Sequence, residues 1–152
     1  MFCIVVHKIM VKMNITRKIV EILLSIERVP PERGGILGGN KDIINIVCND
    51  TGDCNDSRGN YIPNTSFLNT IISNWCDQNI DFYGIFHTHA HNWVGLSESD
   101  IKYIESVMRS MPKDVVKLYF PIIYPNEYIM PFIALRNGKE IHIQEEKLNI
   151  IN

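Results

Sequence analysis

Apolar residues recur along this chain at helical spacing in some stretches and in short strand-like runs in others. From Asn14 to Glu27, Ile15, Ile19, Ile22, Leu23 and Ile26 share one face of a 3.6-residue period and predict a first helix. Pro30-Pro31 stops it and forces an extended approach to Glu32. The runs Ile36-Leu37-Gly38 and Ile43 to Val47 flank Gly39-Asn40-Lys41-Asp42, the pattern of a hairpin. Asn49 to Asn64 is rich in Asn, Asp, Gly and Ser and reads as a surface loop, of a length that is often functional or mobile. Phe67, Leu68, Ile71, Ile72, Trp75 and Cys76 then predict a second helix over Thr65 to Gln78 with that stripe buried. Phe82 to His87 is an apolar strand, and Ser97 to Arg109 a third helix burying Ile101, Ile104, Val107 and Met108. Val115 to Ile123, Tyr128 to Arg136 and Lys139 to Ile143 are strands, the last two joined by the turn Asn137-Gly138. Helix, hairpin, helix, strand, helix and strand meander describe one α/β sandwich built on a mixed sheet.

Composition narrows the function classes. A chain of 152 residues, 45% hydrophobic and 21% charged, is expected to form one domain over residues 1–152 with a sizeable core. A net charge of -2, with lysines and arginines scattered, argues against a dedicated nucleic-acid surface. No apolar stretch is long enough to span a membrane. The apolar patch Met1 to His7 has no preceding charge and no small-residue cleavage site, so it is not a signal peptide. Cys3, Cys48, Cys54 and Cys76 match no zinc ribbon or redox pair, which predicts reduced thiols in a cytoplasmic protein. Cys76 is expected in the core, and His7 and His142 at the surface.

Candidate chemistry concentrates between Phe86 and Asp100. If His87 and His89 end a strand, their side chains point to the same side. Two such imidazoles can grip a divalent metal, and Asp100 completes a three-ligand set by folding back. A His/His/Asp set with a vacant fourth position is what a catalytic zinc needs. Ser97 and Asp100 also form a helix capping box, with Leu96 and Ile101 at the positions of a hydrophobic staple. On those two residues alone the capping reading prevails, but it leaves the histidines unexplained.

The pattern His87-x-His89, seven residues, Ser97-x-x-Asp100 resembles the JAMM/MPN metalloprotease motif at every fixed position. That family carries an upstream glutamate before a glycine-rich strand, and Pro31-Glu32-Arg33-Gly34-Gly35-Ile36-Leu37-Gly38 is similar. The resemblance spans about Thr16 to Ala134. Ala90 departs from it, since many members have proline there. The resemblance implies a deaminase-like α/β/α fold and zinc, Zn2+, held by His87, His89 and Asp100. It implies Glu32 as general base, passing the water proton to the leaving amine, and Ser97 as support for the oxyanion. Glu27 is a poorer base, because the helix is expected to run through it.

The implied substrate is the C-terminal glycine tail of a ubiquitin-like or sulfur-carrier protein, cut at a peptide or isopeptide bond. The Gly34-Gly35 segment beside Glu32 lacks side-chain bulk, and the adjoining strand edges are expected to pair with such a tail by β-augmentation, with the loop Asn49 to Asn64 covering it. Two other readings stand beside this one. Thr88-His89-Ala90-His91 looks like the opening of the metallo-β-lactamase signature, but Trp93 and Val94 replace its later ligands. A non-catalytic MPN-like scaffold is the other, although such relatives typically lose the ligands this chain retains. His91 is left as a surface residue, a substrate contact or an alternative ligand.

Overall fold

Alternation along the central strands sends neighbouring side chains to opposite faces of one sheet, and helices cover both. The structure, a computed structural model, describes residues 12–27, 31–50 and 61–152. In chain order these form β1 (Lys12–Thr16), α1 (Arg17–Leu24), β2 (Gly34–Asn40), β3 (Ile43–Asp50), α2 (Thr65–Asp77), β4 (Asp81–Thr88) and α3 (Glu98–Ser110). A meander follows: β5 (Lys117–Tyr119), β6 (Ile122–Tyr124), β7 (Tyr128–Met130), β8 (Phe132–Asn137), β9 (Glu140–Glu145) and β10 (Lys147–Ile151). The sheet order is β10-β1-β3-β2-β4-β5-β8-β9, with β6 pairing β4 and β7. Leu37, Phe86, Tyr119 and Ile133 pack with Ile19, Val20 and Leu23 of α1. Their neighbours Ile36, Ile85, Leu118 and Ala134 pack with Leu68 and Trp75 of α2 and Ile104 and Met108 of α3. Each aliphatic side chain so buried contributes roughly 1.5–3 kcal/mol. The expected α/β/α sandwich on a mixed sheet is therefore the observed one.

The hairpin β2–β3 turns on Lys41 and Asp42, both with positive φ (53° and 57°), the conformation of a two-residue primed turn. Neither residue is glycine, and Asp42 is tied down from the next strands. Its carboxylate accepts from Tyr119 Oη at 2.9 Å and Lys117 Nζ at 3.1 Å.

Several boundaries differ from the sequence reading. The first helix is not continuous over Asn14 to Glu27. Lys12–Thr16 is a strand that buries Met13 and Ile15 and pairs in parallel with β10, and Thr16 caps the shorter α1. Asn49 and Asp50 belong to β3 rather than to the polar loop, whose residues 51–60 lie outside the described set. In α2, Phe67 and Cys76 are exposed, so Cys76 is not a core residue. In α3, Ile101 is 39% exposed, which rules it out of the core. The two long strands each split at a proline, at Pro121 and at Pro131. Proline has no N–H for the ladder, and the partner changes there: β5 pairs β8, whereas β6 pairs β7. His142 is exposed as expected; His7, Cys3 and Cys54 lie outside the described residues.

Candidate metal centre

The carboxyl end of β4 brings the histidines to the face that α3 covers. Ile85 packs on that face, and the two-residue period carries His87 and then His89 to the same side. Between them Thr88 turns the other way and is fully buried. Its hydroxyl accepts from Arg33 N–H at 2.8 Å, and its own N–H donates to Arg33 C=O at 2.8 Å. His89 N–H donates to Ile123 C=O at 3.0 Å on the opposite flank. Both histidines thus sit on backbone held from two sides.

Asp100 arrives through the helix cap. Ser97 Oγ accepts from Asp100 N–H at 3.1 Å, and Asp100 Oδ2 accepts from Ser97 N–H at 2.8 Å. The same carboxylate faces the imidazoles, with Oδ1 at 3.2 Å from His87 Nε2 and Oδ2 at 3.2 Å from His89 Nε2. The two Nε2 atoms are 2.9 Å apart. Three donors on a tetrahedron with bonds of about 2.0 Å lie about 3.3 Å from one another, so these side chains fit a metal ion with little adjustment. Capping and ligation are therefore compatible duties of one carboxylate. Burial alone would raise the Asp100 carboxyl, but hydrogen bonds from His87, His89 and the Ser97 amide outweigh it and hold the group well below the ordinary carboxylate range.

The remaining wall comes from the start of β2. Glu32 Oε2 accepts from Tyr61 N–H at 3.1 Å. Tyr61 is itself fixed: its hydroxyl donates to Asp50 Oδ2 at 2.8 Å, and Asp50, 3% exposed, also accepts from Asn64 N–H at 2.8 Å. Burial and the Asp50 carboxylate push the Tyr61 hydroxyl well up, so it stays a donor. Burial, with Asp50 adding to it, pushes Tyr103 up to about 12. Glu32, His87, His89, Ser97 and Asp100 all line one cleft of about 570 Å³, walled by Tyr61, Trp93, Tyr103 and Phe120.

The two glycines do not form an open groove. A Cβ at Gly34 would run into the Tyr61 ring, and one at Gly35 into the Cys48 carbonyl. Moreover β2 is paired along its length by β3 on one side and β4 on the other. No tail can add to β2, so the expected β-augmentation finds no free edge on that strand. Glu27 lies past α1, not inside it, and pairs with Arg33 at 2.7 Å. It is not among the cleft residues. His91 stands apart, 76% exposed, its Nδ1 3.9 Å from Glu127 Oε1. Tyr61 is a residue that sequence reasoning missed, because nothing in a polar loop marks a tyrosine as a contact of the base.

No protein-family model matches the chain, and no curated protein matches it by sequence. Solved structures do. A JAB1/MPN domain protein from Archaeoglobus fulgidus superposes with a TM-score of 0.54 at 17% identity, covering 92% of this chain and 100% of that one. A protein from Desulfitobacterium hafniense gives 0.60 at 19% identity, covering 91% and 92%. One from Salinibacter ruber gives 0.52 at 15%, covering 90% and 92%. The fold is JAB1/MPN-like. On it, His87, His89 and Asp100 form a group able to hold a metal ion, an arrangement suited to a metal-dependent hydrolase.

Proposed function

We propose that this protein is a zinc-dependent peptidase or isopeptidase acting after the C-terminal glycines of a ubiquitin-like or sulfur-carrier protein. The observation that carries the reading is the convergence of three ligand atoms with Glu32 and Ser97 in one cleft. His87, His89 and Asp100 would hold a divalent zinc, which when bound would supply Lewis acidity and lower the pKa of a water. Glu32 takes the water proton on Oε1, the oxygen not engaged by Tyr61 N–H, and returns it to the leaving amine. The Ser97 hydroxyl donates to the carbonyl oxygen as charge develops there, a contribution of roughly 3 kcal/mol.

One feature supports a chain-internal amide. Among the described residues the cleft is lined by no lysine or arginine, so no side chain described there offers a positive charge to a free carboxylate. The described cysteines, Cys48 and Cys76, are free thiols, in keeping with a cytoplasmic setting, and no described helix is long and apolar enough to cross a membrane.

The test pairs metal content with cleavage. Purified protein is expected to hold about one zinc per chain, and Asp100→Ala to lose most of it. Fusions ending in Gly-Gly should be cut by the zinc-loaded protein, cleavage should stop with a chelator and return with zinc, and Ala-Ala fusions should resist. Metal-free wild type would leave the scaffold reading in place. Equal cutting of both tails would point to a different zinc hydrolase.

A further inference from the structure

The ligands come from two elements, the end of β4 and the first turn of α3, so the path of residues 90–96 decides whether Asp100 meets the histidines. One side chain governs that path. β6 runs parallel to β4 with His87 opposite Ile122 and Thr88 opposite Ile123, which brings Tyr124 level with His89. Tyr124 is 1% exposed, and its hydroxyl is used twice. It donates to Trp93 C=O at 2.7 Å and accepts from Gly95 N–H at 2.9 Å. No other hydrogen bond ties the backbone of residues 90–96 to the sheet among the described residues. Gly95 holds φ +86°, a left-handed conformation that any side chain would strain. The Tyr124 ring meets the His89 imidazole edge-to-face, centroids 6.2 Å apart at 87°, and Tyr128 stacks behind it at 4.6 Å.

We infer that Tyr124 is a positioning residue of the metal centre. Through Trp93 and Gly95 its hydroxyl sets the course of the connecting loop so that Asp100 reaches His87 and His89, and its ring holds the plane of the His89 imidazole. The inference rests on the reading of His87, His89 and Asp100 as metal ligands. Tyr124 touches neither metal nor substrate. It acts as outer partners of metal ligands do, whose loss typically weakens metal binding about 10–100-fold.

The experiment is a cobalt titration of the full chain followed by visible absorption, on wild type, Tyr124→Phe and Tyr119→Phe. Tyr119→Phe is the control, because it also deletes a buried hydroxyl bond, to Asp42, but away from the cleft. Tyr124→Phe is expected to bind cobalt at least about tenfold more weakly, with altered absorption bands. Tyr119→Phe should match wild type in both. Amide exchange in the metal-free protein gives a second readout: the Gly95 N–H should exchange faster in Tyr124→Phe alone. If Tyr124→Phe folds poorly, Gly95→Ala, which keeps the tyrosine but strains the loop, is expected to weaken cobalt binding in the same way. Wild-type uptake of cobalt with unchanged affinity and bands in Tyr124→Phe overturns this inference alone. Wild type that takes up no cobalt overturns the metal reading and this inference with it.

Discussion

Asp100 and Glu32 are both acidic residues of one cleft, yet their surroundings assign them different work. Asp100 is saturated, with one oxygen on His87 and the other shared between His89 and the Ser97 amide. Among the described residues Glu32 has one hydrogen-bond partner, the Tyr61 amide, so one oxygen remains for proton transfer. Glu32→Gln is therefore expected to keep its zinc and lose turnover by about 10²–10⁴-fold, the usual range for a general base. Metal analysis beside a cleavage assay checks both halves, and wild-type turnover in this variant would reduce Glu32 to a wall residue. At this scale the sequence was most legible where the chemistry is local. His87, His89, Ser97 and Asp100 lie within fourteen residues of one another, and strand period plus helix cap suffice to bring them together. Tyr61 and Tyr124 were not legible, because each bonds to groups far away in sequence, and an isolated tyrosine carries no spacing signal.

Among the elements, β2 and β4 matter most, and Thr88 is the stitch between them. Its hydroxyl and amide both engage Arg33, the residue after Glu32, while its neighbours on either side are the two histidines. Thr88→Val keeps the shape and loses the hydroxyl, leaving the Arg33 N–H without its partner. The expected result is retained zinc with turnover reduced about tenfold or more, a shift of roughly 1.4 kcal/mol, whereas Thr88→Ser should stay near wild type. Valine and serine variants that behave alike would show that the hydroxyl does nothing for Glu32. Legibility also varied by element. The three helices and β4 stood out because their apolar periods are long. β1 did not, since Met13 and Ile15 precede Ile19 at a spacing that suits a helix equally well, and its parallel partner β10 lies at the other end of the described chain. The splits at Pro121 and Pro131 did have a signal, because a proline inside an apparent strand argues against continuity.

For the molecule as a whole, the sheet sorts its apolar side chains so that α1 occupies one face and α2 with α3 the other, and the cleft opens where β4 ends beneath α3. The α/β sandwich on a mixed sheet was legible from the succession of elements, and its α/β/α layering was what the family resemblance implied. The course of the sheet was not, because parallel pairings such as β1 with β10 depend on contacts across most of the chain. One further consequence follows from Asp100 serving as both helix cap and ligand. An ion bound there grips the first turn of α3 to the end of β4, so occupancy and folding are thermodynamically linked. A ligand that binds only the native state, present at 100 times its dissociation constant, adds about 2.7 kcal/mol to stability. Thermal melts with and without zinc should therefore separate, and the separation should shrink in Asp100→Ala. The melting temperature becomes a gauge of site occupancy that needs no substrate at all.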